Sequence, residues 1–281
     1  MNLRLSFFLM VAAVVSCAAG SVPDNENISD VYRNPVVRMS LPDPTILEDG
    51  GVFYLYATED IRNVPIMCSP DLVSWKKVGT VFTDSSRPSF VEGGGIWAPD
   101  VNKIDSRYVL YYSMSVWGGE QTCGIGVAVA DNPQGPWEDR GKLFISSEIG
   151  VTNSIDPFYI AENGKKYLFW GSFRGIYAVE LSDDALSVKE GAKPVKVAGG
   201  AYEGTYIHKR GEHYYLFASI GSCCAGFNST YRTVVGRSSD LFGPYVNKCG
   251  ERMLDRIIWT ADGWPVVNDG TPATSGARPV F

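Results

Sequence analysis

Tyr54-Leu-Tyr-Ala-Thr58, Val109-Leu-Tyr-Tyr-Ser113, Tyr167-Leu-Phe-Trp-Gly-Ser172 and Tyr215-Leu-Phe-Ala-Ser219 are one short β run written four times. Their leucines stand at 55, 110, 168 and 216, which gives spacings of 55, 58 and 48 residues. Each run follows a turn signal: Asp49-Gly50-Gly51, Asp105-Ser106, Asn163-Gly164-Lys165 and Arg210-Gly211. Most are followed by further strand-like residues and a second turn such as Ser69-Pro70-Asp71-Leu72 or Asp131-Asn132-Pro133. A period of about 50 residues with several β runs per unit predicts propeller blades. A β-sandwich would space its turns at about 8–12 residues and lack this long self-similarity. Beyond the first residues no segment has helical periodicity.

Composition agrees with an all-β chain. The 281 residues are 45% hydrophobic and 20% charged, with 7 Trp, 15 Tyr and 13 Phe, which excludes a disordered chain or a coiled coil. Thirty Gly and sixteen Pro among so many Tyr, Phe and Val favour short strands and tight turns. The formal charge is -6 and no Lys or Arg run stands out, so a polyanionic partner such as nucleic acid is excluded in favour of a neutral or weakly charged ligand.

Arg4 precedes eleven uncharged, mostly apolar residues, Leu5 to Val15. That stretch is too short to span a bilayer, which takes about 20 residues, and has the layout of a secretory signal. Val14-Val15-Ser16-Cys17 resembles a bacterial lipobox, with cleavage near Ala19 or Gly20 as the alternative. The expected organisation is a signal over 1–16, a tether over 17–33 and a propeller over 34–281. The protein is expected to be exported to the periplasm or cell surface as a monomer, touching the membrane only through a lipid on Cys17. Cys68, Cys123, Cys223, Cys224 and Cys249 would then remain, an odd number. Adjacent Cys223 and Cys224 are not expected to bond each other, and no C-x-x-C pair suggests zinc.

The repeat also carries acids. Asp43 in Leu-Pro-Asp-Pro-Thr, Asp100 in Trp-Ala-Pro-Asp-Val, Asp156 in Ser-Ile-Asp-Pro-Phe and Glu203 in Tyr-Glu-Gly-Thr-Tyr lie twelve, ten, twelve and thirteen residues before their leucines. A lone Asp beside Pro would read as a turn cap. Four acids at one place in the repeat predict carboxylates converging at one end of a channel, with their pKa values driven apart.

These motifs, with Cys223-Cys224-Ala-Gly-Phe-Asn-Ser-Thr-Tyr231, Val235-Gly236-Arg237-Ser238, Gly243-Pro244-Tyr245 and Ala261-Asp262-Gly263-Trp264-Pro265, resemble glycoside hydrolase family 43, its arabinanase branch in particular. The resemblance implies a five-bladed propeller that cleaves arabinose- or xylose-containing polysaccharides with inversion. By the same resemblance Asp43 would be the general base, Glu203 the general acid, and Asp156 the residue that orients the acid and keeps its pKa up. Inversion asks for two carboxylates about 6.5–9.5 Å apart, which residues on different blades can supply. Trp97, Asp100, Asn153, Ser154, Ser172 and Phe173 are the expected sugar contacts, with Trp117 behind them; Asp100 supports rather than reacts. Trp75, Trp137 and Tyr245, which end repeats, are expected to pack between blades.

Gly250 to Phe281 spans 32 residues, against spacings of 48 to 58 elsewhere, so four full blades and a truncated fifth are expected. The resemblance implies a structural calcium at the channel centre, but neither His208 nor His213 stands where its His ligand belongs; no metal is assigned to the chemistry itself. No Gly-x-Ser-x-Gly elbow and no dinucleotide fingerprint occur. The expected substrate is α-1,5-arabinan or its oligosaccharides. An exo-acting arabinofuranosidase or β-xylosidase, and a non-catalytic glycan-binding lipoprotein, stand as alternatives.

Overall fold

The computed structural model describes residues 31–225 and 228–247, with the strands Ile257–Trp259, Pro265–Val267 and Ser275–Ala277. The expected signal, Cys17 and most of the tether lie outside the described residues; the last three tether residues form a strand, β1 (Val31–Arg33). The fold is all-β. Blade 1 comprises β2 (Thr45–Asp49), β3 (Val52–Tyr56), β4 (Pro65–Ser69) and β5 (Lys76–Thr80). Blade 2 comprises β6 (Gly95–Ile104), β7 (Arg107–Ser115), β8 (Gly124–Ala130) and β9 (Glu138–Ile145). A four-residue helix, α1 (Ser146–Ile149), leads to blade 3: β10 (Phe158–Glu162), β11 (Lys165–Trp170), β12 (Ile176–Glu180) and β13 (Val195–Ala198). Blade 4 comprises β14 (Glu203–Arg210), β15 (His213–Ile220), β16 (Arg232–Ser238) and β17 (Val246–Asn247).

Every blade is an antiparallel meander in chain order, and the inner strands β2, β6, β10 and β14 neighbour one another in turn. Beyond blade 4 the described residues form only two-stranded pairs. β18 (Ile257–Trp259) pairs with β19 (Pro265–Val267), and β1 pairs with β20 (Ser275–Ala277). The architecture is thus a five-bladed propeller type with four full blades and a truncated fifth.

The hairpins explain the regularity. Glu162 pairs with Lys165 across Asn163 and Gly164, both at positive φ (52° and 76°), the two-residue turn whose twist matches the strands. The second strand of each blade is the buried centre, and its alternation divides the core. Tyr108, Leu110 and Tyr112 face blade 1, packing on Tyr54, Tyr56, Ile66 and Phe82, while Val109 and Tyr111 face blade 3. Leu168 and Trp170 face blade 2, whereas Phe169 faces blade 4 beside Leu216. Three of the repeat leucines therefore share one job: Leu110, Leu168 and Leu216 each pack on the preceding blade. Leu55 joins Ala57, Met67, Leu41 and Trp75 in a smaller cluster on the outer side of blade 1. Each such buried side chain contributes about 1.5–3 kcal/mol of transfer free energy. Trp137 and Tyr245 join the inter-blade cores as expected, and Trp75 joins the smaller cluster.

Candidate active site

The pairing register shows where the acids sit. Ile46 pairs with Leu55, Val101 with Leu110, Tyr159 with Leu168 and Ile207 with Leu216. Three residues before each partner the backbone turns left-handed, at Asp43 (φ 48°), Ala98 (41°), Asp156 (62°) and Gly204 (60°). All four lie twelve residues before their leucine. They form a ring where the inner strands enter the channel. Left-handed backbone costs L-residues about 1–2 kcal/mol, least for Asp with its short polar side chain, and glycine escapes it.

Only Asp43 and Asp156 of the four acids belong to this ring, which corrects the expectation of four acids in register. Glu203 precedes the turn by one residue, the place Trp97 holds in blade 2. Asp100 follows it by two, roughly 7 Å further along the strand. The strand pairing is irregular at both places, between Trp97 and Asp100 and between Glu203 and Tyr206. Such bulges re-aim side chains.

Asp43 is exposed, and its Oδ2 accepts the Thr58 hydroxyl at 2.6 Å. Glu203 is 9% exposed and accepts the Ser172 hydroxyl at Oε2, 2.7 Å. Burial pushes the Tyr231 hydroxyl up, opposed by Ser219 and reinforced by the nearby Glu203 carboxylate. Asp156 is half-buried, and its backbone N–H donates to Ser113 Oγ at 2.8 Å. Burial, then the charges of Asp43 and Glu203, push the Asp156 carboxyl well above the usual range against one opposing hydrogen bond from the Gly204 backbone. Three carboxyls from blades 1, 3 and 4 therefore feel one another at one mouth. Neighbouring carboxylates of one sign disfavour the charged form of the carboxyl between them, the same direction as its burial. Burial first, then Cys224 and Glu203, push the Cys223 thiol to about 12; both cysteines are free, as is Cys123, and Cys68 is disulfide-bonded.

Asp100 lives differently. Burial raises it to about 7, opposed by the Tyr159 N–H and the Asn102 amide, which donate to its Oδ2 at 2.7 and 2.8 Å. It sits two residues past Ala98, further along β6 than the ring.

The expected sugar contacts divide in two. Trp97 lies at the ring, tilted against Trp117 with centroids 5.5 Å apart, and Trp117 is 79% exposed. Both offer faces on which a sugar can stack. Half-buried Phe173 precedes Arg174, whose guanidinium pairs with both oxygens of Glu120 at 2.6 and 3.0 Å. Ser154 is a correction: it is fully buried, donating to Val151 O and accepting from Trp170 Nε1, so it braces the blade and does not face sugar. The Asn153 amide donates to Ser172 O at 2.9 Å, and the Ser172 hydroxyl is spent on Glu203. Thr58, Ser113 and Tyr231 were missed from sequence. The first two end the repeated β runs, and that shared hydroxyl was the available signal.

No group of three or more His, Cys, Asp or Glu side chains among the described residues could hold a metal. His208 and His213 lie toward the turn of the β14–β15 hairpin, at the opposite end of β14 from Glu203.

The model of glycosyl hydrolases family 43 matches residues 32–257. The extracellular exo-α-(1→5)-L-arabinofuranosidase ArbA of Cellvibrio japonicus is 35% identical over 275 residues, 89% of this chain and 74% of that one. The extracellular endo-α-(1→5)-L-arabinanase 1 of Bacillus subtilis is 32% identical, over 76% of this chain and 70% of its own. The structure of Cellvibrio cellulosa α-L-arabinanase complexed with arabinohexaose superposes with a TM-score of 0.72 at 27% identity, covering 82% of this chain and 96% of that one. The chain belongs to glycosyl hydrolase family 43.

Proposed function

We propose that this protein hydrolyses α-1,5-linked arabinan or its oligosaccharides with inversion. Asp43 activates water, Glu203 protonates the leaving oxygen, and Asp156 orients Glu203 and keeps a proton within the cluster. One observation carries the reading: Asp43, Asp156 and Glu203 come from three blades to one mouth, where burial first and then the charges of Asp43 and Glu203 push the half-buried Asp156 carboxyl up. Carboxyls brought together from different blades can divide between them the acid and the base that glycoside hydrolysis needs. Trp97 and Trp117 supply stacking faces beside it, the usual means of binding a neutral ring without buried charge. The arabinan-directed names of the relatives support the substrate class.

The test is product analysis on debranched arabinan. Wild-type protein is expected to release arabino-oligosaccharides, and Glu203→Gln to lose about 10²–10⁴-fold in rate. Equal rates for the two proteins would remove Glu203 from the mechanism. Exo action is a second reading, favoured by 35% identity to an exo-arabinofuranosidase; it predicts arabinose alone as the early product. Sugar binding in calorimetry without turnover would reassign the protein as a glycan-binding lipoprotein.

Export belongs to the same reading, from the segment 1–16 and the extracellular relatives, with Cys17 carrying the lipid. The Cys17→Ser variant is expected to leave the membrane fraction. Retention there would refute the anchor.

A further inference from the structure

The four repeated runs end in hydroxyls: Thr58, Ser113, Ser172 and Ser219. Those of blades 1 to 3 share one task, reaching across to the mouth of the next blade. Thr58 Oγ1 of blade 1 accepts the Ala98 N–H of blade 2 at 2.7 Å. Ser113 Oγ of blade 2 accepts the Asp156 N–H of blade 3 at 2.8 Å, the same bond one blade on, since Ala98 and Asp156 are equivalent ring positions. Ser172 of blade 3 reaches blade 4 and meets the Glu203 carboxylate instead of a backbone N–H. Ser219 of blade 4 stands across its own blade from Glu203 in the strand register.

Thr58 differs from Ser113 in one respect. While it accepts from Ala98, its own proton goes to Asp43 Oδ2 at 2.6 Å. The N–H of blade 2 thus fixes which way the hydroxyl points, since an oxygen engaged as acceptor directs its single proton elsewhere. The backbone of Thr58 is held as firmly. Its N–H donates to Pro42 O at 2.9 Å, beside Asp43, and the Glu59 N–H donates to Ile96 O at 3.1 Å, beside Trp97. The Glu59 side chain lies against both guanidinium ends of Arg87 and accepts the Ile96 N–H at 2.7 Å. That ion pair is buried, with side chains 10% and 15% exposed. Asp43 itself is exposed and, among the described hydrogen bonds of its side chain, has Thr58 alone to hold its rotamer.

We infer that Thr58 is a positioning residue for the reaction, orienting the Asp43 carboxylate by a hydroxyl that the Ala98 N–H of blade 2 aims. This rests on the proposed role of Asp43 and adds to it: an exposed carboxylate would otherwise sample several rotamers, and only one points at the attacking water.

Thr58→Val keeps the shape and removes the hydroxyl; Thr58→Ser keeps the hydroxyl and removes the methyl. On arabino-oligosaccharides, Thr58→Val is expected to lose about 10- to 100-fold in kcat with KM within about threefold, and Thr58→Ser to recover most of it. A packing role would instead penalise Ser and spare Val. Should Thr58→Val fail to fold, Thr58→Ala reads the same loss without added bulk. Asp43→Asn is assayed alongside. If it is inactive while Thr58→Val keeps wild-type kcat, or if Thr58→Ser is as impaired as Thr58→Val, the positioning role is overturned and the role of Asp43 stands. If Asp43→Asn turns over normally, the role of Asp43 fails and the inference falls with it.

Discussion

Asp156 and Asp100 belong to adjacent blades, differ by two places in the repeat, and are both raised by burial, yet they have opposite surroundings. Asp156 stands on the ring, where two of the three influences raising it are the charges of Asp43 and Glu203 and a single backbone N–H opposes them. Asp100 has no carboxylate among its influences, only burial against two hydrogen bonds, and settles at about 7. The first environment makes protonation depend on other acids, which is what a reacting group needs. The second makes it depend on the fold. Two residues along one type of strand therefore separate chemistry from support.

Replacing each carboxyl by its amide should expose that separation. Asp156→Asn removes a carboxyl that can gain or lose a proton beside Asp43 and Glu203 while preserving the shape. A loss of about 10²–10⁴-fold in kcat/KM on debranched arabinan is expected. Stability should hold, because a neutral amide carries no penalty for ionising in a buried place. Activity within tenfold of wild type would break the comparison, since Asp156 would then be support as well.

The propeller, its blade count and the three carboxyls of the mouth were legible because strand period and motif spacing survive in the chain. The leucines mark the register directly, as Leu110, Leu168 and Leu216 each face the preceding blade. What could not be read was the offset within it. Counting acids backwards from the leucines put Asp43, Asp100, Asp156 and Glu203 on one level; the left-handed turns put Asp43, Ala98, Asp156 and Gly204 there. A bulge shifts a side chain without changing composition, so nothing in the spelling of Trp97-Ala-Pro-Asp100 announces it. Ser154 failed for a related reason. Its neighbours Asn153 and Asp156 lie near the mouth, but its hydroxyl serves Trp170 inside the blade, a partner sixteen residues away that a motif does not show.

The smaller effect belongs to Asp100, and pH is the variable that reveals it. Its native pKa of about 7 exceeds the unperturbed 3.8, so between those values the native state holds a proton that the unfolded chain has released. Stability from this group is thus fully present below about pH 4 and is lost as pH rises to 7, by up to roughly 4 kcal/mol across the window. Asp100→Asn abolishes the titration, and its amide oxygen can still accept from the Tyr159 N–H and the Asn102 amide. The variant should match wild type in thermal midpoint near pH 4 and exceed it increasingly toward pH 8, with kcat within a few-fold at any pH where both are folded. A midpoint difference that does not change with pH would mean that Asp100 ionises freely in the native protein. A large loss of kcat would place it with Asp156, and the two levels of the channel would no longer divide chemistry from support.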